Sequence, residues 1–186
     1  MSVPRRFSYL LNEIHFRQLN KSDLEDYLPL VLAAYASARE LNIHFDAGYA
    51  TAEQAIAHLS QHGVYGMFDG EKLIASVTLR YPWGPLPGPF GLPHLGWFAS
   101  DPCRRGERLG GKLLDWLERE ILMGQLRVPA YSLGTALEHP WLRTFYKQLG
   151  FEPQHTANLG KGHTTLYMKK ILDPALHDRW LTGRSL

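Results

Sequence analysis

The chain has 186 residues, 45% of them hydrophobic and 20% charged, enough apolar material for one domain with a substantial core and too much for wholesale disorder. Twenty Lys and Arg against eighteen Asp and Glu leave a formal charge of +2, so the charge balance gives no argument for a nucleic-acid coat or a membrane-surface protein. A single cysteine, Cys103, excludes an intramolecular disulfide and a Cys-based zinc cage.

Residues 1–16 carry Arg5 and Arg6, but their apolar stretch stops at Asn12 and Glu13, short of a signal-peptide core. The longest apolar run, 28–36, contains Pro29 and falls far below the roughly 18 residues of a membrane span. The expectation is a soluble cytoplasmic protein. Residues 14–19 alternate as a first strand. Ser22 and Glu25 read as a capping box that opens a helix to about Arg39, and Thr51 with Gln54 reads as a second box opening a helix to about Gln61. The loop between them, 40–50, holds His44, Asp46 and Tyr49. Residues 64–68 and 73–81 form a hairpin around Asp69-Gly70, a dipeptide that tolerates positive φ. Residues 82–93 contain five prolines and can be neither helix nor central strand.

A buried strand follows at 95–100, and from Leu109 onward Leu113, Trp116, Leu117 and Ile121 recur at helical spacing. Pro129 opens a strand to Thr135, residues 138–149 read as a helix stopped by Gly150, and 151–155 with 164–171 make a last strand pair. The order is β-α-α-β-β-β-α-β-α-β-β. It predicts a mixed α/β domain over 1–172 with a central sheet, followed by a tail over 173–186.

The most informative stretch is the glycine-rich turn between the 95–100 strand and the next helix. Unpaired amides at a helix N-terminus suit phosphate. A Walker A loop would need Ser or Thr after Gly111-Lys112, where Leu113 stands, and the spacing of Gly106, Gly110 and Gly111 is not that of a dinucleotide fingerprint. An ordinary strand-to-helix turn is the plain alternative.

Arg105-Gly106-Glu107-Arg108-Leu109-Gly110, followed by Gly111, resembles the acyl-CoA pyrophosphate loop of the GNAT N-acetyltransferase superfamily, Gln/Arg-x-x-Gly-x-Gly/Ala. Arg108 stands where that family usually has glycine, a strained choice if the loop needs positive φ there. A second block, His139 to Phe151, resembles the family's penultimate helix through Tyr146, Gly150 and Phe151, with His139 in place of an asparagine. The resemblance implies a splayed central sheet with acetyl-CoA as co-substrate, its pantetheine arm lying along Phe98, Ala99 and Ser100, and no metal. It implies direct attack on the thioester by a primary amine of a small molecule or peptide, without nucleic-acid or membrane partners, and leaves a homodimer open. A non-catalytic acyl-CoA-binding regulator of the same fold is the alternative.

The resemblance also assigns roles. Tyr146 matches the general acid for the departing thiolate, against a plain role as a core phenol. His94 stands where many members carry a basic glutamate, eleven residues before Arg105. It reads either as a lightly perturbed base, titrating near pH 6–7, or as a closure of the proline-rich loop. His44, Asp46 and Tyr49 fall in the connection that lines the acceptor pocket in this family, with His163 as the reserve base.

Overall fold

The turn between the second and third strands falls one residue later than the sequence suggests, at Gly70-Glu71. The computed structural model describes residues 13–183. In it β1 (Ile14–Gln18) pairs antiparallel with β2 (Gly63–Asp69), which turns through Gly70, at φ +59°, and Glu71 into β3 (Lys72–Arg80). β4 (His94–Ser100) adds antiparallel to β3, and β5 (Ala130–Ala136) lies parallel to β4. β6 (Glu152–Asn158) and β7 (Thr164–Ile171) complete one seven-stranded mixed sheet in the order β1-β2-β3-β4-β5-β7-β6. The reading of residues 1–11 as too short for a signal-peptide core lies outside the described residues. Among the described residues no helix is long and apolar enough to cross a membrane.

Successive residues of β2 feed two cores, as strand alternation requires. Tyr65 and Met67 join the cluster under α4 (Leu109–Trp116) with Leu113, Leu117, Leu133 and Phe151. Val64 and Phe68 join the cluster under α1 (Leu24–Ala34) and α3 (Ala52–Gln61), with Tyr27, Val31 and Leu59. Leu113, Leu117 and Leu122 are fully buried, and each such side chain contributes about 1.5–3 kcal/mol. Beyond Trp116 the helix widens into π-helical turns over Leu117–Gln125, which helical spacing alone did not reveal.

Four local readings change. The first capping box belongs to Asn20 and Asp23: Asn20 accepts from the Ser22 amide, and the Asp23 carboxylate accepts from the Asn20 amide and from Arg17. The helix from there is not continuous to Arg39; it breaks at Tyr35 and resumes as α2 (Ala36–Glu40). The helix expected from Glu138 begins later, as α5 (Leu142–Gln148), because the Glu138 carboxylate is engaged by the Thr164 amide of β7. The expected tail forms α6 (Pro174–Gly183), whose Leu176 amide is capped by Asp173 and whose His177 is buried.

Candidate active site

The site originates in one interrupted strand pair. β4 and β5 are joined only at His94–Ser132 and Leu95–Leu133, and beyond Leu95 no further pair forms. On its other edge β4 is bulged: Gly96 faces Thr78, but the next pair is Ala99 with Ser76, so Trp97 and Phe98 are inserted against a single residue. Trp97 takes φ +41°, a strained conformation for a bulky residue that costs on the order of 1–3 kcal/mol. It is clamped there by His58, stacked at 3.9 Å, with Tyr27 behind. The parted strands open a cleft of about 1380 Å³.

At one end of the cleft lies the glycine-rich loop. Arg108 sits at φ +56°, the left-handed conformation for which the resemblance expects glycine, and directly precedes α4. The amides of Leu109, Gly110 and Gly111 open that helix and, as first-turn amides, have no acceptor within it. A Cβ on Gly110 would stand 2.9 Å from Cζ of Phe98, so glycine keeps open the space between helix and strand. The loop is braced from behind. Arg104 donates to Asp69 at 2.7 Å and to Glu107 at 2.7 and 3.0 Å, and Asp101 accepts from the Cys103 amide and from Lys72. Glu107 therefore spends its carboxylate on Arg104 and does not line the cleft, whereas Arg105 and Arg108 do. Amides, an open cradle at Gly110 and two exposed guanidiniums fit a pyrophosphate-bearing ligand. Cys103 is exposed on the same loop.

Midway, Phe98, Ala99 and Ser100 border the cleft opposite Tyr146 of α5. The Tyr146 ring packs edge-on against Phe145 and Phe151, and burial pushes its phenol up, so it stays protonated as a donor. Tyr35, at the α1–α2 break, also lines the cleft; its phenol is raised by burial and by Tyr146, and the Phe98 amide partly offsets this. Sequence reasoning missed Tyr35, since an aromatic at a helix interruption carries no motif.

The far end is rich in histidine; six of the nine histidines line the cleft. His94 is 2% exposed, its Nδ1 lies 2.8 Å from Ser132 Oγ, and Gly88 of the proline-rich segment presses against its ring. Burial, and then the Arg80 cation, lower its pKa to about 3, which overturns the expectation of a lightly perturbed imidazole. His58 bonds Thr78 Oγ1 at 2.7 Å and is likewise lowered to about 3, chiefly by burial. His58 and His62 were also missed, although their spacing of four on one helix was the available signal. Lys161 donates to Asp46 Oδ2, His44 Nε2 stands 3.7 Å from Asp46 Oδ1, and His163 tilts against Phe45. His44, Asp46 and His163 are thus gathered at the cleft, but Tyr49 stacks behind His44, 52% exposed, and does not line it. Residues 86–89 of the proline-rich segment do form part of the wall. Among the described residues no group of three His, Cys, Asp or Glu could hold a metal ion.

Comparison with known proteins agrees with this geometry. The model of the acetyltransferase (GNAT) family matches residues 25–151. The chain is 44% identical to S-(2-succino)cysteine N-acetyltransferase of Bacillus subtilis (strain 168), over 84% of this chain and 95% of that relative. It is 31% identical to S-alkylcysteine N-acetyltransferase of the same organism, over 90% of this chain and 94% of that relative. Among solved structures it is similar to the PaiA N-acetyltransferase of Thermoplasma acidophilum in complex with coenzyme A, at TM-score 0.66 and 18% identity, covering 86% of this chain and 99% of that one.

Proposed function

The chain belongs to the GNAT acetyltransferase family as an acetyl-CoA-dependent N-acetyltransferase, and from that premise we propose that its acceptor is a small S-substituted cysteine acetylated on its α-amine. The observation that carries this reading is the acceptor end of the cleft. It is a half-open cleft walled by residues 86–89 and by the 44–47 turn, and contains Arg80 and Lys161 with Asp46 already engaged by Lys161. Such a lining favours a compact anionic molecule. The names of the two curated relatives support the same class.

In this reading acetyl-CoA supplies the acyl group as an activated thioester. The first-turn amides of α4, with Arg105 and Arg108, neutralise the pyrophosphate through hydrogen bonds and the helix dipole. Main-chain groups of Phe98, Ala99 and Ser100, left without a β5 partner, hold the pantetheine arm and stabilise negative charge developing on the thioester oxygen. The amine nitrogen bonds to the acyl carbon as the carbon–sulfur bond breaks, and the sulfur takes its proton from the Tyr146 phenol. We assign to His94 the relay of the proton the amine gives up: burial and the Arg80 cation make its imidazolium a strong acid, so the neutral ring only passes that proton on to water and does not hold it.

The test is a thiol-release assay with acetyl-CoA and a panel of amines that includes S-alkylcysteines, S-(2-succino)cysteine, other free amino acids, polyamines and peptide N-termini. An S-substituted cysteine is expected to give the highest kcat/KM. A peptide or polyamine turned over faster by tenfold or more would refute the acceptor class.

A further inference from the structure

The acceptor end contains a cation to which no side chain among the described residues is hydrogen-bonded at Nε. Arg80, the last residue of β3, faces His94 across the strand pair at the point where β4 and β5 part. Its Nε is buried and has no hydrogen-bond partner among the described residues. Gly96, the next cleft-lining residue but one along β4 from His94, lies on the same side: a Cβ there would stand 3.7 Å from Arg80 Nε, in ordinary contact. The side chain therefore crosses β4 immediately before the bulge at Trp97. Asp46 and Tyr167 act on it only through space, and Asp46 is occupied by Lys161. The titratable neighbours on its other side, His94, His58 and His62, are imidazoles that Arg80 helps to hold neutral.

A half-buried guanidinium whose Nε is buried and unpaired is costly to keep, and its planar fork matches a carboxylate with two parallel hydrogen bonds. We infer that Arg80 is the binding residue for the α-carboxylate of the acceptor, which restricts the site to free α-amino acids. The geometry makes this useful for transfer. Amine and carboxylate of an amino acid share one carbon, so a carboxylate on Arg80 sets the amine beside the bulged stretch of β4, next to Phe98, Ala99 and Ser100. A polyamine would bring a second positive charge against Arg80. A peptide N-terminus offers an α-amine but only a neutral amide where the carboxylate should be. The inference deepens the proposed function and rests on its reading of the cleft as the acceptor site.

The test compares S-methylcysteine with its carboxamide, and S-(2-succino)cysteine with the derivative neutralised only at its succinyl carboxylates, each at saturating acetyl-CoA. Wild type is expected to prefer the free α-acid over the α-carboxamide on the order of 10²-fold in kcat/KM, the size of a lost charge-assisted pair. Arg80→Gln should bring that ratio to about unity, chiefly through KM, and Arg80→Lys should recover part of it, with the KM for acetyl-CoA unchanged in both. A ratio near unity in wild type overturns the inference even if the variants do not fold. So does an Arg80→Gln enzyme that keeps the wild-type ratio, or one that loses only the discrimination at the succinyl carboxylates. If no S-substituted cysteine is acetylated but another free amino acid is, with its carboxylate preference abolished by Arg80→Gln, the proposed acceptor class fails and Arg80 keeps its role.

Discussion

Replacing Gly110 with valine separates the loop's role in ligand binding from its role in the fold. Gly110 lies in the first turn of α4 without positive φ, and valine is a better helix former than glycine by a few tenths of a kcal/mol, so the helix itself should tolerate the change. The added Cβ meets Cζ of Phe98 at 2.9 Å and Cζ of Phe145 at 3.6 Å. The Phe98 ring must move a few tenths of an ångström, and the valine methyl groups then occupy the space through which an anion would approach the Gly110 and Gly111 amides. Losing one or two charge-assisted hydrogen bonds at about 1.5–3 kcal/mol each weakens binding by at least about tenfold, and by about 10²-fold for a loss of about 3 kcal/mol. The assay is thermal unfolding with and without acetyl-CoA. At a concentration 100 times the wild-type Kd, linkage stabilises the folded state by about 2.7 kcal/mol, and a chain of this length gains roughly 2–4 °C per kcal/mol, or about 5–11 °C. At the same concentration a variant weakened 10²-fold gains about 0.4 kcal/mol, a shift of about 1–2 °C. A folded Gly110→Val protein with the full wild-type shift would refute the assignment of this loop to the pyrophosphate.

Tyr146→Phe removes the only proton the phenol can give and should lower kcat by about 10²-fold with acetyl-CoA affinity retained, as read by steady-state kinetics and thermal shift together. His94→Gln should lower kcat at pH 7 by about 10²-fold without changing the KM for acetyl-CoA, and an unchanged kcat would leave His94 a packing role. Because His94 titrates near 3, wild-type kcat/KM should show no histidine limb at pH 6–7 and should rise instead with the free-amine fraction of the acceptor. For stability, His58 and His94 take up protons near 6.5 when unfolded but only near 3 when folded, so stability is complete above about pH 6.5 and falls as pH drops towards 3. Urea midpoints at pH 7 and 4.5 should differ accordingly, and His58→Gln should reduce the difference. Arg108→Gly relieves a left-handed side chain worth about 1–2 kcal/mol, partly offset by unfolded-state entropy, so Tm should move little while the KM for acetyl-CoA rises up to about tenfold.

Element order, the glycine-rich loop and the C′ stop at Gly150 were legible in the sequence because each depends on near neighbours: a hydrophobic period, a cap, a residue that tolerates positive φ. Even the strain at Arg108 could be anticipated, since a motif position that requires φ near +60° requires it whatever residue stands there. Where a local signal had two claimants, tertiary contacts decided. Arg17 on β1 fixes Asp23 and so selects Asn20 as the cap, and β7 draws Glu138 away from the helix it was expected to open. The acceptor site was legible only in part. His44, Asp46 and His163 were named from their loops, but Arg80 comes from β3, His58 and His62 from the end of α3, and Tyr35 from the α1–α2 break, and only the bulge in β4 and the parting of β4 from β5 bring them to one cleft. The protonation state of His94 was beyond the sequence for the same reason. Its pKa is set by the Gly88 backbone that covers it and the Arg80 charge beside it, and desolvation and Coulomb energy depend on distance in space rather than along the chain.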